Sequence, residues 1–182
     1  MSVSGEKILW HYELFLGKYI GADRYGSKEY GIQLLGFDKV FEGCMTFASF
    51  GLSRYPERIG NLCEVVMAVD DDYDCCADIL ANALFYAIQE RMDFGRGTLI
   101  EGIDRIVHGF SRKHDKAALY FTEAYSFPEP FSKIDDSCRM YMAFFVSEKE
   151  SEYILRYGSE KFEALLENAN CDIADINRES VV

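Results

Sequence analysis

Ser147-Glu148-Lys149-Glu150 and Tyr153-Ile154-Leu155-Arg156-Tyr157-Gly158-Ser159 open the last 36 residues of this chain of 182. The first four spell a capping box: the Ser147 hydroxyl accepts from the Glu150 amide while the Glu150 side chain reaches back. Tyr153, Ile154 and Tyr157 then form an apolar stripe, and Gly158 ends the helix because it tolerates a left-handed backbone. Ser159 restarts one. Phe162, Leu165, Leu166 and Ala169 follow at i, i+3, i+4 and i+7, on one face. Glu160, Glu163 and Glu167 take the opposite face and read as solvated. The chain closes on Asp172-Ile173-Ala174-Asp175-Ile176-Asn177-Arg178-Glu179-Ser180-Val181, with Arg178 placed to pair with Asp172 or Asp175.

Working back from that end, the apolar patterning gives a helix over residues 4–20, capped by Ser4 and stopped at Gly21, with Ile8, Tyr12, Phe15, Leu16 and Tyr19 on its inner face. Residues 30–37 are the strand expected within the interrupted stretch 22–43. Two buried strands, 44–52 and 62–69, are rich in small, aromatic and branched residues. A helix over about 75–92 buries Leu80, Ala83, Leu84, Ala87 and Ile88. An extended piece, 98–107, and two strands, 117–124 and 139–146, precede the C-terminal helices, with a loop at 127–136 between the strands. Neighbouring strands flanked by helices, without strict βαβ alternation, predict an α+β domain with a largely antiparallel sheet. With no linker or repeat, residues 1–182 read as one domain.

The C-terminal order (a Glu-x-x-Tyr helix, a Gly-Ser-Glu helix start, and a tail with Asp-Ile, Arg and Ser-Val) resembles the suppressor-of-fused-like family. Thr46-Phe47-Ala48-Ser49-Phe50-Gly51-Leu52-Ser53 with Pro56 resembles that family's strand ending in Gly-x-Ser. Phe127-Pro128-Glu129-Pro130-Phe131 stands where it carries a proline-containing loop. The resemblance spans roughly residues 45–182, its C-terminal run being the specific part; residues 1–44 match in pattern alone. It implies a binding protein, and for bacterial members an immunity protein that neutralises a polymorphic toxin. The second domain that holds a transcription factor in eukaryotic members has no room here.

Thirty-one acids against 19 Lys and Arg leave a formal charge of −12. That disfavours nucleic acid as a direct ligand, since phosphate binding needs clustered cations, and favours a basic protein partner steered by the field. Solubility is the plain alternative. No apolar run reaches the roughly 20 residues of a membrane helix. The start, Met1-Ser2-Val3-Ser4-Gly5-Glu6, lacks a signal peptide's basic and apolar segments. Six cysteines without framework spacing agree with the cytoplasm.

Catalytic patterns are weak. His11, His108 and His114 lack zinc spacing, and adjacent Cys75 and Cys76 cannot chelate as Cys-x-x-Cys does. Gly95-Arg96-Gly97 is a turn signal rather than a dinucleotide fingerprint, because a helix precedes it. Ser53 lacks the Gly-x-Ser-x-Gly elbow, Tyr55 standing in its last position. No metal or cofactor is expected, and an acid from residues 70–74 acting with His108 or His114 in a small-molecule hydrolase is the weakest alternative.

Two segments are candidate partner-binding surfaces. Asp70, Asp71, Asp72 and Asp74 lack the ligand spacing and glycine of a calcium loop. Acids before a helix cap it and complement its dipole, which accounts for one or two of the four and leaves others to face a partner. Tyr125, Phe127, Glu129 and Phe131 lie in a stiff loop suited to anchoring an interface, unless its rings fold back over the core; an unpaired sheet edge is a third route. The expectation is a non-catalytic antitoxin, a monomer or weak homodimer, covering a basic, nuclease-type toxin domain. The alternative is a cytoplasmic regulatory module that sequesters another protein.

Overall fold

The structure, a computed structural model, describes residues 3–182. Met1 and Ser2, part of the N-terminal segment read above, lie outside the described residues. Helix α1 (Gly5–Phe15) leads into strands β1 (Gly21–Gly26), β2 (Gly31–Phe37) and β3 (Met45–Phe50). A short helix α2 (Pro56–Ile59) and strand β4 (Cys63–Val69) precede the long helix α3 (Tyr73–Glu90). Then come β5 (Leu99–Glu101), α4 (Phe110–His114), β6 (Ala118–Glu123), the two-residue β7 (Lys133–Ile134), β8 (Cys138–Val146), α5 (Glu148–Tyr157) and α6 (Ser159–Asn168).

The sheet runs β1-β2-β3-β4-β8-β6-β5, with β7 on the start of β8. Among the described residues every pairing is antiparallel except β4 with β8. The α+β reading therefore holds, with one parallel seam in an open mixed sheet.

Helices cover both faces, and the strand sequences say why. β4 reads Cys-Glu-Val-Val-Met-Ala-Val, buried at every position but the partly buried Ala68. Cys63, Val65, Met67 and Val69 pack with Leu80, Leu84 and Ile88 of α3 on one side. Val66 packs on the other with Tyr12 of α1 and with Phe162 and Leu166 of α6. A strand buried on both faces has no polar side to show, so it reads as a continuous apolar run instead of alternating.

Local signals explain most boundaries. The Ser4 side chain accepts from Lys7 N, capping α1. That helix stops at Phe15, not Gly21; Gly17 takes a φ of +85° just beyond its end. The capping box at Ser147 is formed, and Gly158, at φ +87°, separates α5 from α6. β1 was not expected: its Gly-Ala-Asp-Arg-Tyr-Gly is exposed along nearly all its length, so burial leaves no period to read. Helix α4, with Arg112, Lys113 and His114 in its last turn, lies between the extended piece and the strand expected at 117–124.

Candidate protein-interaction surface

At the end of β4 the chain leaves the sheet through residues 70–74 and enters α3. The four acids here have different tasks. Asp70 binds the C-terminal tail: its amide donates to the Ala174 carbonyl at 3.1 Å, and its Oδ1 accepts from Ile176 N at 3.0 Å. Asp71 Oδ1 accepts from Asp72 N at 2.7 Å. Asp72 stands at the N-cap of α3 in a left-handed conformation, but its side chain makes no capping bond. It turns to α4, where its Oδ2 accepts from Lys113 Nζ at 2.5 Å and pairs with His114 Nε2 at 2.6 Å. Asp74 lies in the first turn of α3, where a carboxylate meets the positive end of the dipole. Asp70, Asp71 and Asp74 are exposed. Of the helix-start roles expected of this run, Asp74 keeps the dipole position, while the side chains of Asp70 and Asp72 tie instead to the tail and to α4.

Hydrogen bonds from Lys113 and His114 hold the Asp72 carboxyl below the usual aspartate range. A carboxylate depressed by folding stabilises the fold above its unfolded pKa, about 3.9, and loses that contribution as pH falls through the lower folded value. Asp72→Asn is therefore expected to lower the melting temperature at neutral pH by at most about 2–4 °C. Thermal melts at stepped pH should show the gap from wild type closing as acidity takes both proteins below the folded value. A gap that persists there would rule out the ion pair as its source.

The aromatic loop divides. Tyr125 is 55 % exposed and Glu129 is on the surface. Phe127 and Phe131 are buried, 4.6 Å apart by ring centroids and stacked, with Phe41 edge-on to Phe127 and His11 stacked on Phe131. These two phenylalanines lid the core beneath α1, and Tyr125 and Glu129 are what the loop offers outward. The reason is packing: α1 brings His11 and Phe15 to the same spot, and Phe131 closes against both rings.

Among the described residues His114 and Asp72 make the one imidazole–carboxylate contact that hydrolysis would call for, so its surroundings matter. His114 is 3 % exposed, and its Nδ1 faces Asn177 Oδ1 at 2.7 Å while Nε2 faces Asp72. With both ring nitrogens engaged inside the protein, neither is free to take a proton from a substrate. The contact ties α3, α4 and the tail together. His11, its pKa lowered by burial, contacts the Phe131 carbonyl at 3.0 Å. Among the described residues no three His, Cys, Asp or Glu side chains converge as metal ligands, and no helix is long and apolar enough to cross a membrane. All six cysteines are free thiols, with Cys76 packed in the core at the start of α3.

Residues 28–179 match the family described as Suppressor of fused protein (SUFU). The chain belongs to the suppressor of fused family. The immunity protein YqcF of Bacillus subtilis (strain 168) is 26 % identical over 169 residues, covering 86 % of this chain and 84 % of that one. A crystal structure of a SUFU homologue from Neisseria gonorrhoeae FA 1090 superposes with a TM-score of 0.77 at 14 % identity, covering 98 % and 96 % of the two chains. A chain of the Sufu–Fu complex superposes with a TM-score of 0.62 at 11 % identity, covering 97 % and 90 %. At such identities the two structures speak for the fold.

Three polar constellations of this SUFU domain escape sequence reading. The Gly-x-Ser at residues 51–53 wraps the buried carboxylate of Glu64. Arg178 pairs with Glu150 in the box at the start of α5, not with Asp172 or Asp175. Glu163 is no solvated acid: Arg96 binds it at 2.5 Å, and Tyr120 Oη and Thr122 Oγ1 donate to it at 2.7 and 2.6 Å. Each partner lies on a distant element, and helical period cannot report it.

Proposed function

We propose that this protein is an immunity protein, a non-catalytic antitoxin that neutralises a basic, nuclease-type toxin by covering it. The observation that carries the reading is the likeness to immunity protein YqcF over most of both chains. The −12 charge and the exposed Asp70, Asp71 and Asp74 at the end of β4 support a cationic partner. The engagement of His114 on both ring nitrogens supports action without turnover.

An acidic surface that blocks a phosphate-binding cleft competes with the nucleic acid for the same cations. Association should then accelerate at low salt, since steering falls off with the Debye length, about 10 Å at 0.1 M. Co-expression with the toxin encoded beside this gene tests the proposal directly. Survival of the cells and a stoichiometric complex on gel filtration are expected, with an association rate that drops about tenfold or more between low and high salt. Death of cells that contain the folded protein, or turnover of a substrate by the protein alone, would overturn it.

A further inference from the structure

On the sheet face that carries α1 and α6, a cavity of about 200 Å³ opens where β4 and β8 meet three loop segments. Ala68 of β4 and Met142 and Phe144 of β8 line its floor, and Phe41, Phe127 and Ile173 wall it in from three separate segments. It exists because β4 offers only a methyl at Ala68, partly exposed in a strand otherwise buried.

The mouth is acidic. Glu42 and Asp172, both exposed, belong to the lining. Asp70 stands close by: its backbone binds Ala174, which also lines the cavity, and its charge, with that of Asp172, bears on the Cys44 thiol there. Tyr73 Oη, within 3.2 Å of the Gly43 carbonyl and 3.0 Å of the Asp70 carbonyl, joins the acidic turn to that rim. Ser126 and Phe127 of the aromatic loop thus line this opening, and the acidic turn is tied to its rim through Asp70 and Tyr73.

Size selects the occupant. Cofactor and drug-like sites run about 300–1,000 Å³, whereas an apolar cavity of about 150 Å³ takes up a benzene. This one fits a single phenyl or leucyl side chain. Interfaces concentrate their energy in such an anchor seated in a pocket, with charged pairs at the rim. Resting on the immunity reading, the geometry points to this cavity as the socket for one large apolar side chain of the partner, flanked by lysines or arginines that meet Glu42, Asp172 and Asp70.

The probe is acetyl-Lys-Phe-Lys-amide, titrated into protein carrying ¹³C-methyl methionine and followed at Met142. Saturable shifts are expected, with acetyl-Glu-Phe-Glu-amide binding at least about fivefold more weakly. Glu42→Gln combined with Asp172→Asn should weaken the cationic peptide by a similar factor; the asparagine keeps an acceptor for Ala174 N, which Asp172 Oδ1 now binds at 3.0 Å. Ala68→Phe fills the floor and should abolish binding. Ser126→Trp covers the mouth from an exposed loop position and should do the same, so a misfolded Ala68 variant leaves the test intact.

Equal binding of the two peptides, no saturation, or full binding in either folded variant would overturn the socket. Protection assays separate this outcome from failure of the immunity reading. Folded cavity variants that still rescue cells refute the socket alone, while a wild-type protein that gives no rescue refutes immunity whatever the peptides do.

Discussion

Arg178→Ala is expected to destabilise the protein by about 3–5 kcal/mol, the usual result of removing one partner from a buried ion pair. Arg178 and Glu150 are 7 % and 0 % exposed, and the guanidinium spans both carboxylate oxygens, with Nη1–Oε1 at 2.6 Å and Nη2–Oε2 at 2.9 Å. Nη2 also donates to the Phe145 carbonyl and Nη1 to the Glu179 carbonyl, each at 3.1 Å, while Nε is buried without a partner among the described residues. Glu150 in turn accepts from Ser147 N at 2.9 Å and Val181 N at 3.1 Å. One arginine therefore fastens the tail to the end of β8 and to the first turn of α5, and its loss strands a charged carboxylate in the interior.

For a chain of this length the loss corresponds to a fall in melting temperature on the order of 10 °C. Arg178→Lys should recover only part, because an ammonium cannot reproduce the two-pronged contact. Denaturant melts and differential scanning calorimetry read both. A shift of about 2 °C or less for the alanine variant would mean that the tail is held by Ile176 and Asp70 instead.

What the sequence revealed of this fold depended on range. The capping box at Ser147, the break at Gly158 and the inner face of α3 are local, fixed by residues three or four apart, and they appear where the pattern placed them. On α6 Phe162 and Leu166 are buried as the period places them, but Ala169 lies exposed past the helix end. The doubly buried β4 was legible because Val65 to Val69 form an apolar run without alternation. β1 was not, since a sheet-edge strand in solvent carries no apolar period. The polar ties are the other gap. Arg178 had acids nearby in sequence, yet its partner lies 28 residues away, and Asp72 joins a histidine 42 residues on. A charge's partner is set by topology, and composition shows only that it needs one. In the candidate surface, the exposed acids were legible as a run; whether Phe127 and Phe131 fold back over the core stayed open, because the rings that decide it, Phe41, His11 and Phe15, come from distant parts of the chain.

Glu64→Gln is expected to cost about 3 kcal/mol or more, from a residue that reads in sequence as an interruption of an apolar strand. Its carboxylate is 0 % exposed and faces donors on every side. Oε1 accepts from Gly51 N at 2.9 Å, Ser53 N at 3.1 Å and Ser53 Oγ at 2.7 Å. Oε2 accepts from Ser49 Oγ at 2.5 Å and Leu52 N at 3.3 Å, and Val65 N donates to the same Ser49 oxygen at 2.8 Å, which commits that hydroxyl's own hydrogen to Glu64. Burial pushes the carboxyl upward, and the donors of Ser49, Ser53 and Gly51 draw it back.

A glutamine keeps one acceptor and turns an amide N–H toward groups that are themselves donors, so backbone amides in residues 51–53 lose their partner. Gly51 adds a second condition, since its φ of +103° turns the chain so that the amides of residues 52 and 53 follow its own onto the carboxylate, and that φ suits glycine. Gly51→Ala should therefore destabilise the same turn through strain, with Arg54 Nη2 2.7 Å from the new methyl. Hydrogen exchange at residues 51–53 distinguishes the two mechanisms from a general weakening. Both variants should lose protection there first, ahead of β6 and α3, and unchanged protection at these amides in Glu64→Gln would refute the role assigned to the carboxylate.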